Sequence, residues 1–99
     1  MHRATKEDIL HAVVVTVTII DFDRAVQILN ERIVPGASQA PGFVAGYWTR
    51  SEDNRGSSMI VFDSEDAANG AAQMIQSQAP ESDAVTLESV EVREVVANA

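Results

Sequence analysis

The sequence predicts one α+β domain in which four antiparallel strands form a single sheet and two helices cover one face of it. The chain has 99 residues, which is enough for one hydrophobic core and no second module. Its apolar residues alternate between the two-residue period of strands and the 3.6-residue period of helices. These periods follow the order strand, helix, strand, strand, helix, strand. With right-handed crossovers around each helix, this order places both helices on the same face.

The first strand is predicted over Ala12 to Ile20, where β-branched residues make both faces at least partly apolar, as in a central strand. Asp21 follows and can cap a helix by accepting hydrogen bonds from the free N–H groups of its first turn. Apolar residues at helical spacing then form one stripe, and we expect this helix to end before Pro35-Gly36. The stripe consists of Phe22, Ala25, Val26, Leu29 and Ile33.

The two middle strands are predicted to form a hairpin, with a linker over residues 51–56 whose Asn54 and Gly56 tolerate positive φ. The register we predict places Trp48 opposite Met59. Val44 and Trp48 then lie on one face, and Phe43 and Tyr47 on the other, so that both faces are apolar. Gly46 marks a bulge or a close backbone approach.

The second helix is predicted to begin after a cap at Asp63 or Ser64, with Met74 among the side chains of its buried face. Gly70 in its interior is expected to mark close packing on the sheet. The last strand is predicted over Val85 to Val96. Its apolar residues switch from one face of the strand to the other near Ser89, which indicates a bulge. Acidic residues along it protect an edge or face solvent. These residues are Glu88, Glu91 and Glu94.

This βαββαβ order is ferredoxin-like, and it sets the domain organisation. We expect an N-terminal arm over residues 1–11 and one domain over residues 12–98. Two helices can cover only one face of the sheet, so the other face would expose apolar side chains in a monomer. The simplest solution is a symmetric homodimer that packs sheet against sheet.

Composition narrows the classes of partner. Acidic residues outnumber basic ones by 15 to 7, for a net charge of −8, which argues against nucleic acid. The absence of cysteine excludes disulfides and thiolate chemistry and fits a cytoplasmic location. The apolar run from Ile9 to Ile20 is too short to span a bilayer, so no membrane association is expected.

Several motifs together resemble the antibiotic-biosynthesis-monooxygenase type of dimeric α/β barrel. They are Pro41-Gly42-Phe43, the strand around Gly46-Tyr47, the turn at 53–56, and the strand-to-helix run at 61–67. The resemblance covers about Ala12 to Val96. It implies a ferredoxin-like protomer, a dimer with facing sheets and a pocket between sheet and helices. Members of this superfamily include cofactor-independent monooxygenases and haem-degrading enzymes. The histidine pattern of the haem-degrading members is not found here, and no catalytic residue is carried over.

The candidate ligand-binding residues are Tyr47, Trp48, Arg50 and Met59. An aromatic side chain with a cation two positions along can stack on a flat anionic ligand and pair with its charge. A structural interpretation stays open, in which Trp48 fills the dimer interface, Tyr47 fills the core, Arg50 pairs with Glu52 or extends into solvent, and Met59 fills space. His11 could act as a base or metal ligand, but a hydrogen-bonding histidine at a strand edge fits better, and no metal site is expected.

Two functional hypotheses follow. The first is a small homodimeric pocket protein that binds an apolar or aromatic metabolite without a cofactor. The family resemblance implies that such a protein could also be a cofactor-independent monooxygenase. The second is a non-catalytic regulatory or interaction module of the same topology, because no general acid or base stands out on the predicted pocket walls. Fold analogy does not choose between them.

Overall fold

The computed structural model describes residues 9–78 and 83–99 and contains one antiparallel four-stranded sheet in the order β2-β3-β1-β4. This is the predicted ferredoxin-like α+β fold, with β1 and β3 inside the sheet and β2 and β4 at its edges. Its elements are β1 (His11–Ile19), α1 (Phe22–Ile28), a π-helical turn (Leu29–Ile33), α2 (Val34–Ser38), β2 (Phe43–Arg50), β3 (Arg55–Phe62), α3 (Glu65–Gln78) and β4 (Val85–Glu94).

The predicted N-terminal arm falls mostly on residues 1–8, which lie outside the described residues. His11, the last residue assigned to that arm, is the first residue of β1 and is buried. No helix among the described residues is long and apolar enough to cross a membrane.

The core lies on one face of the sheet, called the helix side. Its buried residues come from the two inner strands and from α3, and the small side chains of α3 let that helix approach the sheet closely. They are Val13, Val15, Ile60, Phe62, Ala68 and Ala72. Residues paired across neighbouring strands have their side chains on the same face of the sheet. The register therefore shows which residues of the four strands lie on the helix side.

The opposite face, called the open side, is half apolar. Tyr47 and Met59 lie opposite each other there and are 68% and 47% exposed. The next row across the same face carries only hydroxyl side chains, from Thr49, Ser57, Thr16 and Ser89. The prediction of two apolar faces was therefore wrong for this half of the open side.

The hairpin register is one residue away from the predicted one. Trp48 pairs with Ser58 rather than Met59, and this slip moves Trp48 onto the helix side. A bulge between Phe43 and Ala45 leaves Val44 as the extra residue. Phe43 therefore lies on the same side as Trp48, and Val44, which was predicted to share a face with Trp48, is half exposed.

The first helical segment does not end before Pro35-Gly36 but continues to Ser38. The N–H of Val34 bonds to the carbonyl of Leu29, five residues back, so the turn before the proline is wider than an α-turn. Proline has no N–H to donate, and its ring clashes with the carbonyl four residues back in a regular helix. The wide turn removes that clash, and Pro35 then occupies the first turn of α2, where it is tolerated.

The N-terminal cap of α3 is confirmed. The backbone N–H of Ala67 donates to the Ser64 hydroxyl at 3.1 Å, and Glu65 and Asp66 fill the acidic first turn. Two expectations for this helix were wrong. Met74 is 62% exposed, and a Cβ placed on Gly70 would meet nothing within 4 Å, so this glycine does not mark a close approach.

The change of face in β4 is confirmed as a bulge. Thr16 pairs with Ser89 and Val17 with Leu87, which leaves Glu88 as the extra residue. The Glu88 carboxylate accepts a hydrogen bond from the Thr18 hydroxyl at 3.0 Å. The acidic side chains of β4 are exposed on an edge strand, as predicted.

Candidate ligand site between the second strand and the first helix

Aromatic side chains concentrate on the helix side of β2 and β3. The rings of Phe43 and Phe62 meet edge to face, with centroids 6.3 Å apart and planes at 79°. Trp48 lies along the same strand as Phe43, on the same side. We call Phe43, Trp48 and Phe62 the aromatic row. Phe62 is buried in the core, so the accessible part of the row is formed by Phe43 and Trp48.

Gly46 makes the position of Trp48 possible. A Cβ built on Gly46 would lie 2.7 Å from Cη2 and 2.9 Å from Cζ3 of the indole, and 3.5 Å from Cε2 of Phe43. The far edge of the indole therefore lies over Gly46. The sequence predicted a bulge or a close backbone approach at this glycine, but the bulge is at Val44 and the approaching group is a side chain of the same strand.

Arg50 closes one end of this surface. Its guanidinium carbon lies 3.7 Å from the centroid of the Phe22 ring, at the start of α1. This is cation–π geometry, and it links the end of β2 to the helical segment. Among the described residues, Glu52 makes no ion pair with Arg50, so the pairing considered from the sequence is replaced by this stacking.

The apolar stripe of α1 is not packed into the core. None of the residues of α1 is buried, and none belongs to the set of half-buried side chains packed on the core. Phe22 meets Arg50 from the sheet, and Val26 and Leu29 share its helix face by their spacing. The segment joins the core further along the chain, through Ala37 and Ala40.

We use the name β2 cleft for the surface formed by Phe43 and Trp48 of β2, by Arg50 at the end of that strand and by the Phe22 ring stacked on Arg50. Its walls are apolar and aromatic, with one cation at the end, which suits a flat ligand. A separate polar groove lies along α1, between Arg24, Gln27, Ile28, Glu31 and Arg32, and includes none of these walls.

The four predicted site residues do not form one site. Trp48 and Arg50 lie on the helix side, whereas Tyr47 and Met59 lie together on the open side. The structural interpretation considered from the sequence had Trp48 at the interface and Tyr47 in the core, and the observed faces are the reverse. Phe22 was predicted only as part of a buried stripe. The sequence signal for its place in the site was that Phe22 directly follows the helix cap Asp21, near the end of β1.

His11 has a structural environment. It is 6% exposed, its Nδ1 lies 3.0 Å from the Ile9 carbonyl, and its Nε2 lies 3.5 Å from a carboxylate oxygen of Glu65. This fits the predicted hydrogen-bonding histidine, although the strand is central. No group of three or more histidine and acidic residues that could hold a metal occurs within residues 9–78 and 83–99.

Among the described residues, one carboxyl has a shifted pKa, and it lies in the β2–β3 turn. A hydrogen bond from the Ser51 hydroxyl holds the pKa of the Asp53 carboxyl below its usual value, and the nearby charge of Arg55 acts in the same direction. This bond supports the turn in which Asn54 has a φ of 61°. The shift is therefore a property of the turn and not of the candidate site.

Sequence comparison finds no match to a protein-family model and none to a curated protein. Solved structures are similar in fold. MupZ from Pseudomonas fluorescens has a TM-score of 0.67 at 12% identity, over 93% of this chain and 71% of that one. SnoaB, a cofactor-independent oxygenase from Streptomyces nogalater, has a TM-score of 0.59 at 18% identity, over 92% and 95%.

A monooxygenase from the gene ActVA-Orf6 of Streptomyces coelicolor, solved in complex with the ligand Nanaomycin D, has a TM-score of 0.59. It is 13% identical over 96% of this chain and 92% of that one. Identities this low establish the fold alone. The protein therefore shares the ferredoxin-like α+β fold of solved oxygenases and monooxygenases, in agreement with the resemblance found in its sequence.

Proposed function

We propose that the protein is a small homodimeric pocket protein that binds a flat apolar or aromatic metabolite in the β2 cleft. The observation that carries this proposal is the exposed Phe22 ring, stacked on Arg50 beside the partly exposed Phe43 and Trp48, on an α1 that is not packed into the core. Partly exposed apolar groups gain free energy when a ligand removes them from water, at about 25 cal/mol per Å². Trp48 offers the largest single ring surface in the cleft.

The open side supports the homodimer part of the proposal. Tyr47 and Met59 are exposed there, and no helix within residues 9–78 and 83–99 covers them. A second copy packed on this face would bury both residues and bring the hydroxyl row of one sheet to that of the other. Tyr47 and Met59 are then interface residues. The ligand-binding residues are those on the helix side, Trp48 and Arg50.

The similar structures favour an oxygenase reaction on the bound metabolite, because SnoaB is a cofactor-independent oxygenase and the ActVA-Orf6 protein is a monooxygenase. Without a cofactor, the electrons that reduce O₂ must come from the substrate. An electron-rich phenolic substrate that also carries an oxidisable CH₂ group, as in a keto tautomer of the phenol, is therefore the class to test. One oxygen atom would enter a CH₂ group as C=O, and the other would leave as water with the two hydrogens of that carbon. We assign no catalytic residue.

The second candidate, a non-catalytic binding module, is favoured by one observation. Within the described residues, His11 and Ser58 are the only buried polar side chains, and His11 already contacts Ile9 and Glu65. An acid or base free to act on a ligand in the cleft is thus not evident. Binding is common to both candidates, and turnover distinguishes them.

A panel of neutral aromatic and quinonoid compounds tests binding, with the fluorescence of Trp48, the only tryptophan, and the melting temperature as readouts. We expect quenching and a raised melting temperature. Trp48→Phe should weaken the thermal shift, and Tyr47→Phe on the open side should leave it unchanged. If no compound raises the melting temperature, or if Tyr47→Phe abolishes the shift and Trp48→Phe does not, the proposed site is wrong.

An oxygen electrode then separates the two candidates. Protein-dependent O₂ consumption with a reduced phenolic ligand that binds supports the oxygenase. Binding without consumption across the panel supports the module.

A further inference from the structure

We propose that the metabolite bound in the β2 cleft is an aromatic anion, with its acidic group held by Arg50 and its ring against Trp48. This inference rests on the proposed function and adds the charge and the orientation of the ligand. It also gives Phe22 a role as a positioning residue, which holds Arg50 in place.

The stacking on Phe22 fixes the guanidinium and leaves its edges free. A ring centroid 3.7 Å from the guanidinium carbon occupies one flat face of the group. The five N–H donors of arginine point outward in the plane of the group, so stacking does not consume them. Phe22 therefore holds Arg50 in one orientation without neutralising it. A fixed guanidinium edge is suited to a carboxylate or phenolate oxygen.

Arg50 has no acidic partner among the described residues of a strongly acidic chain. Arg24 lies 3.0 Å from Asp83 and Arg93 pairs with Glu91, whereas among the same residues Arg32 and Arg55 share the lack of an ion pair but are not stacked on a ring. Within the described part of the chain, no carboxylate lies within ion-pair distance of Arg50. In a protein with a net charge of −8, a cation that is held by a ring and left without a counter-ion is available for an anion from outside.

The spacing along β2 gives the ligand its shape. Arg50 and Trp48 are two residues apart on one side of an edge strand, so their Cα atoms are about 7 Å apart. The indole leans over Gly46, away from Arg50, so the ring and the guanidinium are separated by more than that distance. An acidic group attached directly to a two-ring system is therefore the smallest ligand that we expect to reach both.

A matched pair of probes tests the charge. Naphthoate and naphthamide have the same rings, and only the first carries a negative charge. We expect wild-type protein to bind naphthoate about tenfold to a hundredfold more tightly, the range for hydrogen bonds to a charged group. Titration of Trp48 fluorescence, repeated by calorimetry, gives both dissociation constants.

Two arginine variants locate the effect. Arg50→Gln should remove the preference for naphthoate and leave naphthamide binding within about twofold. Arg55→Gln makes the same change in net charge on the open side, opposite Thr18, and should keep the full preference. Phe22→Leu keeps an apolar side chain without the ring and should reduce the preference, whereas Phe22→Tyr should preserve it. Urea unfolding of each variant checks that it is folded.

The outcomes separate this inference from the proposed function. Equal binding of the two probes by wild-type protein, or equal loss of preference in Arg50→Gln and Arg55→Gln, overturns the anion assignment and leaves the aromatic site standing. A preference that survives in Arg50→Gln but disappears in Arg55→Gln also overturns it. If neither probe binds wild-type protein, the proposed site falls, and the anion assignment falls with it.

Discussion

Replacement of Gly46 by alanine tests the geometry of the aromatic row with a single methyl group. The added Cβ would lie 2.7 Å and 2.9 Å from two carbons of the Trp48 indole, distances that real Cβ atoms do not tolerate. The backbone of a sheet cannot move away without breaking its hydrogen bonds to β3. The indole must therefore leave its position over the strand.

The magnitude follows from two opposing terms. Forcing an extra methyl group into a packed site typically costs about 1–3 kcal/mol. Alanine recovers about 0.5–1 kcal/mol of that, because it loses less backbone entropy on folding than glycine. We expect Gly46→Ala to lower the free energy of unfolding by about 1–2 kcal/mol. The emission of Trp48 should shift to longer wavelength as the ring becomes more exposed.

Gly70→Ala is the matched control. It makes the same chemical change inside α3, where a Cβ meets nothing within 4 Å, and should raise the free energy of unfolding by about 1 kcal/mol. Urea unfolding followed by circular dichroism gives both values, and Trp48 emission is recorded separately. A Gly46→Ala variant as stable as the wild type, with unchanged emission, would refute the placement of the indole over the strand.

Other predictions concern the turn and the open side. Asn54 has a φ of 61°, so Asn54→Ala should cost about 1 kcal/mol in urea unfolding, and Asn54→Gly should be close to neutral. Tyr47→Glu should convert the proposed dimer to a 10.7 kDa monomer in light scattering, whereas Met74→Glu, an exposed residue of α3, should not. A dimer that persists in Tyr47→Glu would argue against the open side as the interface. The bond from Ser51 lowers the pKa of Asp53, so its stabilising effect is present above the ordinary aspartate pKa and is lost as the pH falls through the folded value. Asp53→Asn should reduce the acid dependence of unfolding, and an unchanged pH profile would contradict this.

Local signals predicted the parts of the fold that depend on local chemistry. Ser64 caps α3 because an oxygen before an acidic first turn satisfies free N–H groups wherever the helix packs. Asn54 adopts positive φ because few residue types do so at low cost. The bulge at Glu88 was readable because the apolar parity of β4 changes beside it.

The register of the hairpin could not be read in the same way. Trp48 and Tyr47 are both large and amphipathic, so an alternation pattern does not say which of them faces the core. The bulge at Val44 lies between apolar residues, so the pattern of apolar and polar residues does not reveal it. One slip therefore reversed the sides of Trp48 and Tyr47 and divided the predicted site between two faces.

The helical segment exceeded its predicted end for a different reason. Proline was interpreted as a stop signal, but a π-turn before Pro35 relieves the clash that normally ends a helix. The contact between Arg50 and Phe22 joins residues 28 positions apart, and no pattern along the sequence encodes it. The cleft could be found only once the strand order and the faces were known.

The central claim, that the ligand lies on the helix side against Trp48, is tested most directly by NMR chemical-shift mapping with an aromatic probe such as naphthamide. The account predicts that the largest shifts fall on the Trp48 indole N–H and on the resonances of Phe43 and Phe22, with Tyr47 and Met59 unaffected. Shifts concentrated on Tyr47 and Met59, with the Trp48 indole unchanged, would contradict it.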